Sequence, residues 1–109
     1  MKAWVRVEDE NTKEIYRMEV DAEKCRIQKM DLIVHPCTSY TGGRDLWNVS
    51  DPYTGLKLGP RALGKEGAKK ATRKFIKKLI ATHTDPIDKL MEDIHKLWGN
   101  VMDVPIKEG

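Results

Sequence analysis

The segment from Lys65 to Ile80 places apolar and basic side chains on opposite sides of an α-helical wheel. One side carries small and mainly apolar residues: Ala68, Ala71, Thr72, Phe75, Ile76 and Leu79. The other side carries cations: Lys69, Lys70, Arg73, Lys74, Lys77 and Lys78. An apolar stripe of this width is typical of a helix that packs on a sheet. The pattern therefore predicts a helix over 65–81 whose inner face contributes to a hydrophobic core.

A second helix is predicted over 86–98. Its apolar residues recur at helical spacing: Ile87, Leu90, Met91, Ile94, Leu97 and Trp98. Asp85 is a suitable N-cap residue, and Pro86 suits the first helical position because its fixed φ matches the helix. Gly99 and Asn100 are typical of residues that end a helix.

The residues before Pro60 favour β-strands. Alternating or clustered apolar side chains between turn residues mark the segments 4–7, 15–20, 25–35, 46–49 and 56–58. The run over 25–35 has an irregular step between Ile27 and Met30, which indicates a bulge or a break. The motif Asp51-Pro52-Tyr53-Thr54-Gly55 predicts a turn, because Pro fixes φ and Gly tolerates a positive φ.

Strands followed by helices predict an α+β fold, with both helices on one face of an antiparallel sheet of about four to five strands. We expect a single domain over 1–109, with the sheet in 1–60 and the helices in 61–100. A short tail over 101–109 would lie at a sheet edge if it pairs, because of Pro105. The other face of the sheet would meet solvent or a partner. Candidate side chains for that face are Trp4, Tyr16, Tyr40 and Tyr53.

Hydropathy and cysteine usage favour a cytoplasmic protein that does not bind membranes. No apolar run approaches the roughly 20 residues that a membrane span requires, and residues 1–8 lack the apolar core of a signal peptide. We expect Cys25 and Cys37 to be reduced thiols, with a disulfide between them as the less favoured alternative. Charged residues make up 34% of the 109 residues and hydrophobic ones 39%, and the regular apolar pattern argues against disorder.

Positive charge is concentrated around the first predicted helix. Residues 61–80 hold eight basic side chains and one acidic one, a net charge of +7, which leaves −4 for the rest because the whole chain is +3. Like charges four residues apart repel each other, so an anionic partner would stabilise this face, and nucleic-acid phosphates are the commonest such partner. The predicted anion-binding residues are Arg61, Lys65, Lys69, Lys70, Arg73, Lys74, Lys77 and Lys78.

Three alternatives to nucleic acid stay open for this basic face. Acidic residues elsewhere in the chain would neutralise it, or an acidic protein surface would bind it. A membrane surface is the third alternative and the least favoured one, because the apolar side resembles that of a helix packed on a sheet.

The sequence has no spacing typical of a catalytic or metal site. Metal-ligating residue types occur at Cys25, His35, Cys37 and His83, but without a Cys-x-x-Cys pair. Nucleophile elbow, Walker loop and dinucleotide fingerprint are absent. Gly42-Gly43-Arg44 has backbone N–H groups that could bind a phosphate, but such a segment is more typical of a turn. His95 is expected to be a partly exposed helix residue. We therefore predict a non-enzymatic protein without cofactor, catalytic residues or metal ligands.

Three short motifs, Trp47-Asn48-Val49, Thr54-Gly55 and Lys65-Glu66-Gly67-Ala68, resemble the hairpin-to-helix segment of small α+β proteins from phages and other mobile elements. The arm-type DNA-binding domains of tyrosine integrases end similarly, and the segment from Gly64 to Lys70 is similar to the last helix of double-stranded-RNA-binding domains. The resemblance covers about a third of the chain. The chain departs from these families because it opens with a strand and stops after a second helix.

The resemblance implies a mobile-element protein that handles nucleic acid or a host complex. The alternative function is therefore a module that binds and inhibits a host protein or nucleoprotein complex. In integrase arm domains the sheet reads the DNA groove, which would move the binding residues away from the basic helix. An uncovered sheet face or edge would also allow a homodimer.

Overall fold

The computed structural model describes residues 1–38 and 42–107, so Tyr40 and part of the predicted loop around it lie outside the described residues. The described strands are β1 (Lys2–Glu8), β2 (Ile15–Asp21), β3 (Glu23–Ile27), β4 (Met30–Pro36), β5 (Leu46–Ser50) and β6 (Ala62–Leu63). The described α-helices are α1 (Gly64–Thr82) and α2 (Ile87–Trp98). These elements confirm the predicted α+β class.

The strands form two antiparallel sheets where one sheet was expected. β1 and β2 pair with each other, and the second sheet has the order β3-β4-β5-β6. The chain passes from one sheet to the other at Ala22, a buried residue that lies between the end of β2 and the start of β3. A one-residue connection of this kind has no turn motif, so the alternation pattern alone does not show where one sheet ends.

The run predicted as one irregular strand over 25–35 is a hairpin, which corrects that prediction. Ile27 pairs with Met30. Between them Gln28 and Lys29 have positive φ angles of 50° and 66°. Positive φ at both central residues is the signature of a two-residue type I′ turn. The irregular step marked the right place, but neither turn residue is the Gly or Asn that usually signals such a turn.

β4 separates two hydrophobic cores, because alternate side chains of a strand point to opposite faces of the sheet. Leu32 and Val34 pack in the core beneath α1. The other members of that core are Ile27, Val49, Ala68 and Ile76. Ile33 packs on the other face with Val5 and Ala22, where the β1–β2 hairpin covers the sheet. The second sheet face is thus covered at β4 by the chain itself, which corrects the expectation that solvent or a partner would cover it.

The remaining aromatic candidates for that face lie on the covering hairpin or in a turn. Trp4 and Tyr16 are half-buried on β1 and β2. Arg17 lies over the Trp4 ring, with its Cζ atom 4.6 Å from the ring centroid. Tyr53 belongs to the turn after β5 and is exposed.

α1 packs on the larger sheet, and Ile87 at the start of α2 packs against the edge of the core beneath α1. Ala68, Thr72 and Ile76 are the buried residues of α1, whereas no residue of α2 is fully buried. Apolar side chains of both helices line a narrow cavity of about 120 Å³ between them. Pro86 occupies the N-cap position of α2, so Asp85 is not the capping residue that its sequence position predicted. Neither helix has the length and apolarity that would let it cross a bilayer.

The connection after β5 differs from the strand predicted for 56–58, whereas the C-terminal tail reaches a sheet edge as expected after a short helical segment. Within 56–58 only Lys57 forms a bridge, with Ser50, and β6 supplies the partner strand of β5 instead. Residues 101–103 form a short 3₁₀-helix. Ile106 then pairs with Arg17 in a parallel bridge, so the tail lies at the outer edge of β2.

Candidate nucleic-acid interface

Five cations of α1 project from the side of the helix opposite its buried residues. Exposed side chains occur at Lys70, Arg73, Lys74, Lys77 and Lys78. Arg61 is also exposed. It is next in sequence to Pro60, which lines one groove together with Lys74 and Lys78. Within residues 1–38 and 42–107, none of these six cations has a carboxylate oxygen within 4.0 Å. We refer to the six residues as the basic surface.

The other two predicted site residues are paired with acidic side chains. Nζ of Lys65 lies 2.8 Å from Oε2 of Glu23 and 5.4 Å from the centroid of the Trp47 ring. The hydrogen bond from Lys65 holds the pKa of Glu23 below its ordinary value. Lys69 donates to Oε1 of Glu66 at 3.1 Å, and its side chain is only 20% exposed. Lys65 and Lys69 are therefore partly neutralised within the chain.

Most acidic side chains that form ion pairs do so away from the basic surface. Asp21 pairs with Lys2, Asp31 with Arg26, Asp93 with Lys89, and Glu92 with Lys96. Asp9 accepts from the backbone of Thr12 and Asn11 and from Lys107, which together lower its pKa. These carboxylates are paired with cations other than those of the basic surface, so they do not neutralise its positive charge directly.

Phe75 lies at the border of the basic surface. The sequence pattern placed it in the buried stripe, but 38% of the residue is exposed. It lines a shallow groove of about 330 Å³ with Pro60, Ala71, Lys74 and Lys78. It also borders the apolar cavity between the two helices. Phe75 sits at the edge of the apolar stripe, where the cavity and the groove both border it, and this position accounts for its partial exposure.

The thiol and imidazole groups of metal-ligating type do not form a group of three or more metal ligands among the described residues. His35 is buried, with Nε2 2.7 Å from Oγ of Ser50 and Nδ1 2.8 Å from the carbonyl oxygen of Pro36. His83 lies at the end of α1, with Nδ1 2.9 Å from the carbonyl oxygen of Leu79. In the described part of the chain no three His, Cys, Asp or Glu side chains are arranged to hold a metal ion.

Both thiols are free and half-buried. Burial raises the pKa of Cys25, and the opposing effect of Lys69 and Arg73 is smaller. Burial also raises the pKa of Cys37, whose Sγ donates to Oδ1 of Asn48 at 2.9 Å. A raised pKa disfavours the thiolate, the form that acts as a nucleophile.

A cluster that the sequence did not indicate joins the turn after β5 to α2. Oδ2 of buried Asp51 accepts hydrogen bonds from Oγ1 and the backbone N–H of Thr54, at 2.7 and 3.0 Å. Nε2 of His95 lies 2.9 Å from the same oxygen, and the His95 ring stacks on Tyr53 with 4.6 Å between centroids. The turn motif was the only signal for this cluster, because His95 is distant in sequence.

The cleft beside this cluster differs in charge from the basic surface. It has a volume of about 580 Å³ and is lined by Asp31, Asp51, Asp88 and Glu92 among other residues. Lys96 also lines the cleft and pairs with Glu92. The cleft is therefore unsuited to an anion.

Gly42 and Gly43 form a turn with positive φ, as the sequence predicted.

Comparisons of the chain with protein-family models, with curated proteins and with solved structures find no match. The resemblance to mobile-element proteins therefore stays a prediction.

Proposed function

We propose that the chain is a non-enzymatic module that binds nucleic acid through the basic surface. The observation that carries the proposal is the group of exposed α1 cations that have no carboxylate within 4.0 Å among the described residues. Pairs such as Lys70–Lys74 and Lys74–Lys78 are four residues apart, so they repel each other and destabilise the free helix. A bound polyanion removes that repulsion, and release of its counterions drives binding.

The arrangement favours phosphates along a strand over a single small anion. Lys70, Lys74 and Lys78 follow one another at about 6 Å along the helix axis, given a rise of about 1.5 Å per residue. Arg73 and Lys77 form a second row beside them. Two rows of cations on a convex helix suit an extended backbone, whereas a compact anion is usually held in a concave site. The proposed contacts are to phosphate, so sequence preference should be weak.

Fluorescence anisotropy with labelled DNA and RNA oligonucleotides tests this proposal. If four to six phosphates are contacted, log Kd should rise with log salt with a slope of about 3 to 5. The double variant K70Q/K77Q should weaken binding about tenfold or more at low salt and reduce the slope by about 1.5. The matched control K89Q/K96Q removes the same charge from α2 and should have much less effect.

Two results would contradict nucleic-acid binding. One is the absence of salt-dependent binding to any oligonucleotide. The other is equal binding of a polyglutamate peptide of the same charge, which would point to an acidic protein partner instead.

A protein partner is the second candidate function, in the form of a module that binds and inhibits a host protein or nucleoprotein complex. The observation that favours it is a groove of about 340 Å³ lined by the exposed apolar residues Ile15 and Trp98. Leu97, next to Trp98, is 80% exposed. Affinity capture after nuclease treatment should retain a protein partner on the intact chain. The W98A variant should no longer capture that partner, whereas K70Q/K77Q should still capture it. Loss of every captured protein after nuclease treatment would contradict this function.

A further inference from the structure

We propose that the groove beside Phe75 binds an unpaired nucleobase, so that the chain prefers single-stranded to duplex nucleic acid. This inference rests on the proposed binding of nucleic acid by the basic surface. The groove is formed by Pro60, Ala71, Lys74, Phe75 and Lys78. It thus places an exposed aromatic side chain directly beside two cations.

Phe75 is partly exposed and lies between the cavity of the two helices and the groove. One side borders the cavity between the helices, where Ile76 and Leu79 are neighbours. The exposed 38% borders the groove. Large apolar side chains are usually buried, and an aromatic residue left exposed beside cations has the properties of a stacking platform. Partial burial of Phe75 reduces the rotamer entropy that would be lost on stacking.

The lining of the groove matches the chemistry of a nucleotide. A nucleobase offers a flat apolar face to Phe75, and Pro60 and Ala71 supply further apolar contact. The flanking phosphates carry the negative charge that Lys74 and Lys78 require. Proteins that bind single strands combine these two features, an electropositive track and aromatic side chains on which bases stack.

A duplex cannot offer the same contact without opening. Its bases stack on one another, and only their edges are accessible in the grooves. Exposing a base face requires unstacking and unpairing, which opposes binding. A duplex would therefore reach the cations of the basic surface but leave the Phe75 ring unused.

The decisive experiment compares an oligothymidine strand of about 12 nucleotides, a length within the usual site sizes, with an abasic strand that has the same number of phosphates. A hairpin duplex distinguishes duplex binding from single-strand binding, and an oligouridine strand distinguishes RNA binding from DNA binding. Binding is measured for the intact chain and for Phe75→Leu, which keeps an apolar side chain at the interhelical cavity but removes the ring. The matched control is Trp98→Leu, which removes an aromatic residue of similar exposure (44%) from α2.

We expect the intact chain to bind oligothymidine about tenfold more tightly than the abasic strand, which corresponds to one stacked base. F75L should abolish that difference and leave the salt slope unchanged, while W98L should preserve the difference. Equal binding of the oligothymidine, abasic and duplex probes would overturn the base-stacking inference but leave phosphate binding standing. Failure of all probes to bind would instead overturn the proposed function.

Discussion

Nε2 of His95 lies 2.9 Å from Oδ2 of Asp51, and this contact connects the last turns of α2 to the turn after β5. The same oxygen accepts from Oγ1 and N–H of Thr54, so removal of the carboxylate leaves two buried donors without a partner. We expect Asp51→Ala to lower the free energy of unfolding by about 2–3 kcal/mol. His95→Gln should lower it by well under half as much, because Thr54 keeps its acceptor. Urea denaturation measures both, and equal effects would contradict this assignment.

Gly55 is expected to tolerate no side chain, whereas Gly99 is expected to tolerate one at a modest cost. Both have positive φ, 73° and 75°. An added Cβ at Gly55 would lie 2.7 Å from the backbone N of Arg6 and 2.7 Å from Cγ2 of Val101, while at Gly99 nothing lies within 4 Å. Gly99→Ala should therefore cost about 1 kcal/mol of backbone strain and Gly55→Ala about 3 kcal/mol. Chemical denaturation of the two variants tests this, and similar losses would be inconsistent with the close approach at Gly55.

The buried imidazole of His35 predicts a loss of stability in mild acid. Burial lowers the pKa of His35 from 6.5, so the unfolded chain binds the proton more readily than the folded one. The contribution of neutral His35 to the free energy of unfolding is complete above about pH 6.5. It declines as the pH falls below that value, by at most about 1.4 kcal/mol per pH unit. NMR titration should give a folded-state pKa below 6.5, and His35→Gln should remove this part of the pH dependence. A pKa at or above 6.5 would contradict the prediction.

Release of Lys65 from its partner should strengthen anion binding. Glu23→Gln removes the carboxylate 2.8 Å from the Lys65 ammonium and so adds one cation without a carboxylate partner to the same helix as the basic surface. The slope of log Kd against log salt should then rise by up to about 0.9 for duplex DNA or about 0.7 for a single strand. Glu92→Gln is the matched control, because it makes the same change in net charge on α2, next to Lys96. Equal effects of the two variants would mean that net charge, rather than the local surface, governs binding.

Thr72 and Thr54 should respond in opposite directions to replacement by Val. Oγ1 of Thr72 is buried and has no hydrogen-bond partner in the described part of the chain, whereas Oγ1 of Thr54 donates to Asp51 at 2.7 Å. Both residue types are β-branched, so the helix propensity of α1 changes little. Thr72→Val should raise the free energy of unfolding by about 1 kcal/mol and Thr54→Val should lower it by about 1–2 kcal/mol. Thermal and urea denaturation measure the signs, and a loss of stability in T72V would contradict the assignment.

Local patterns predicted the helices closely because their period repeats over several turns. The predicted ranges 65–81 and 86–98 correspond to Gly64–Thr82 and Ile87–Trp98. The positions of the cations on α1 followed from the same period. Strand pairing was harder to predict, since the turn at Gln28 and Lys29 lacks the usual Gly or Asn and the switch of sheets at Ala22 has no motif.

The sequence by itself determined that α1 has a buried face and a cationic face, because both follow from residues a few positions apart on one helix. Only the tertiary structure decided which cations keep their charge unopposed. Glu23 of β3 pairs with Lys65 of α1. The other exposed cations of α1 have no acidic partner among the described residues: Lys70, Arg73, Lys74, Lys77 and Lys78. It also decided that Phe75 is partly exposed and that Asp51 meets His95. These features depend on contacts between residues far apart in sequence, which no local period encodes.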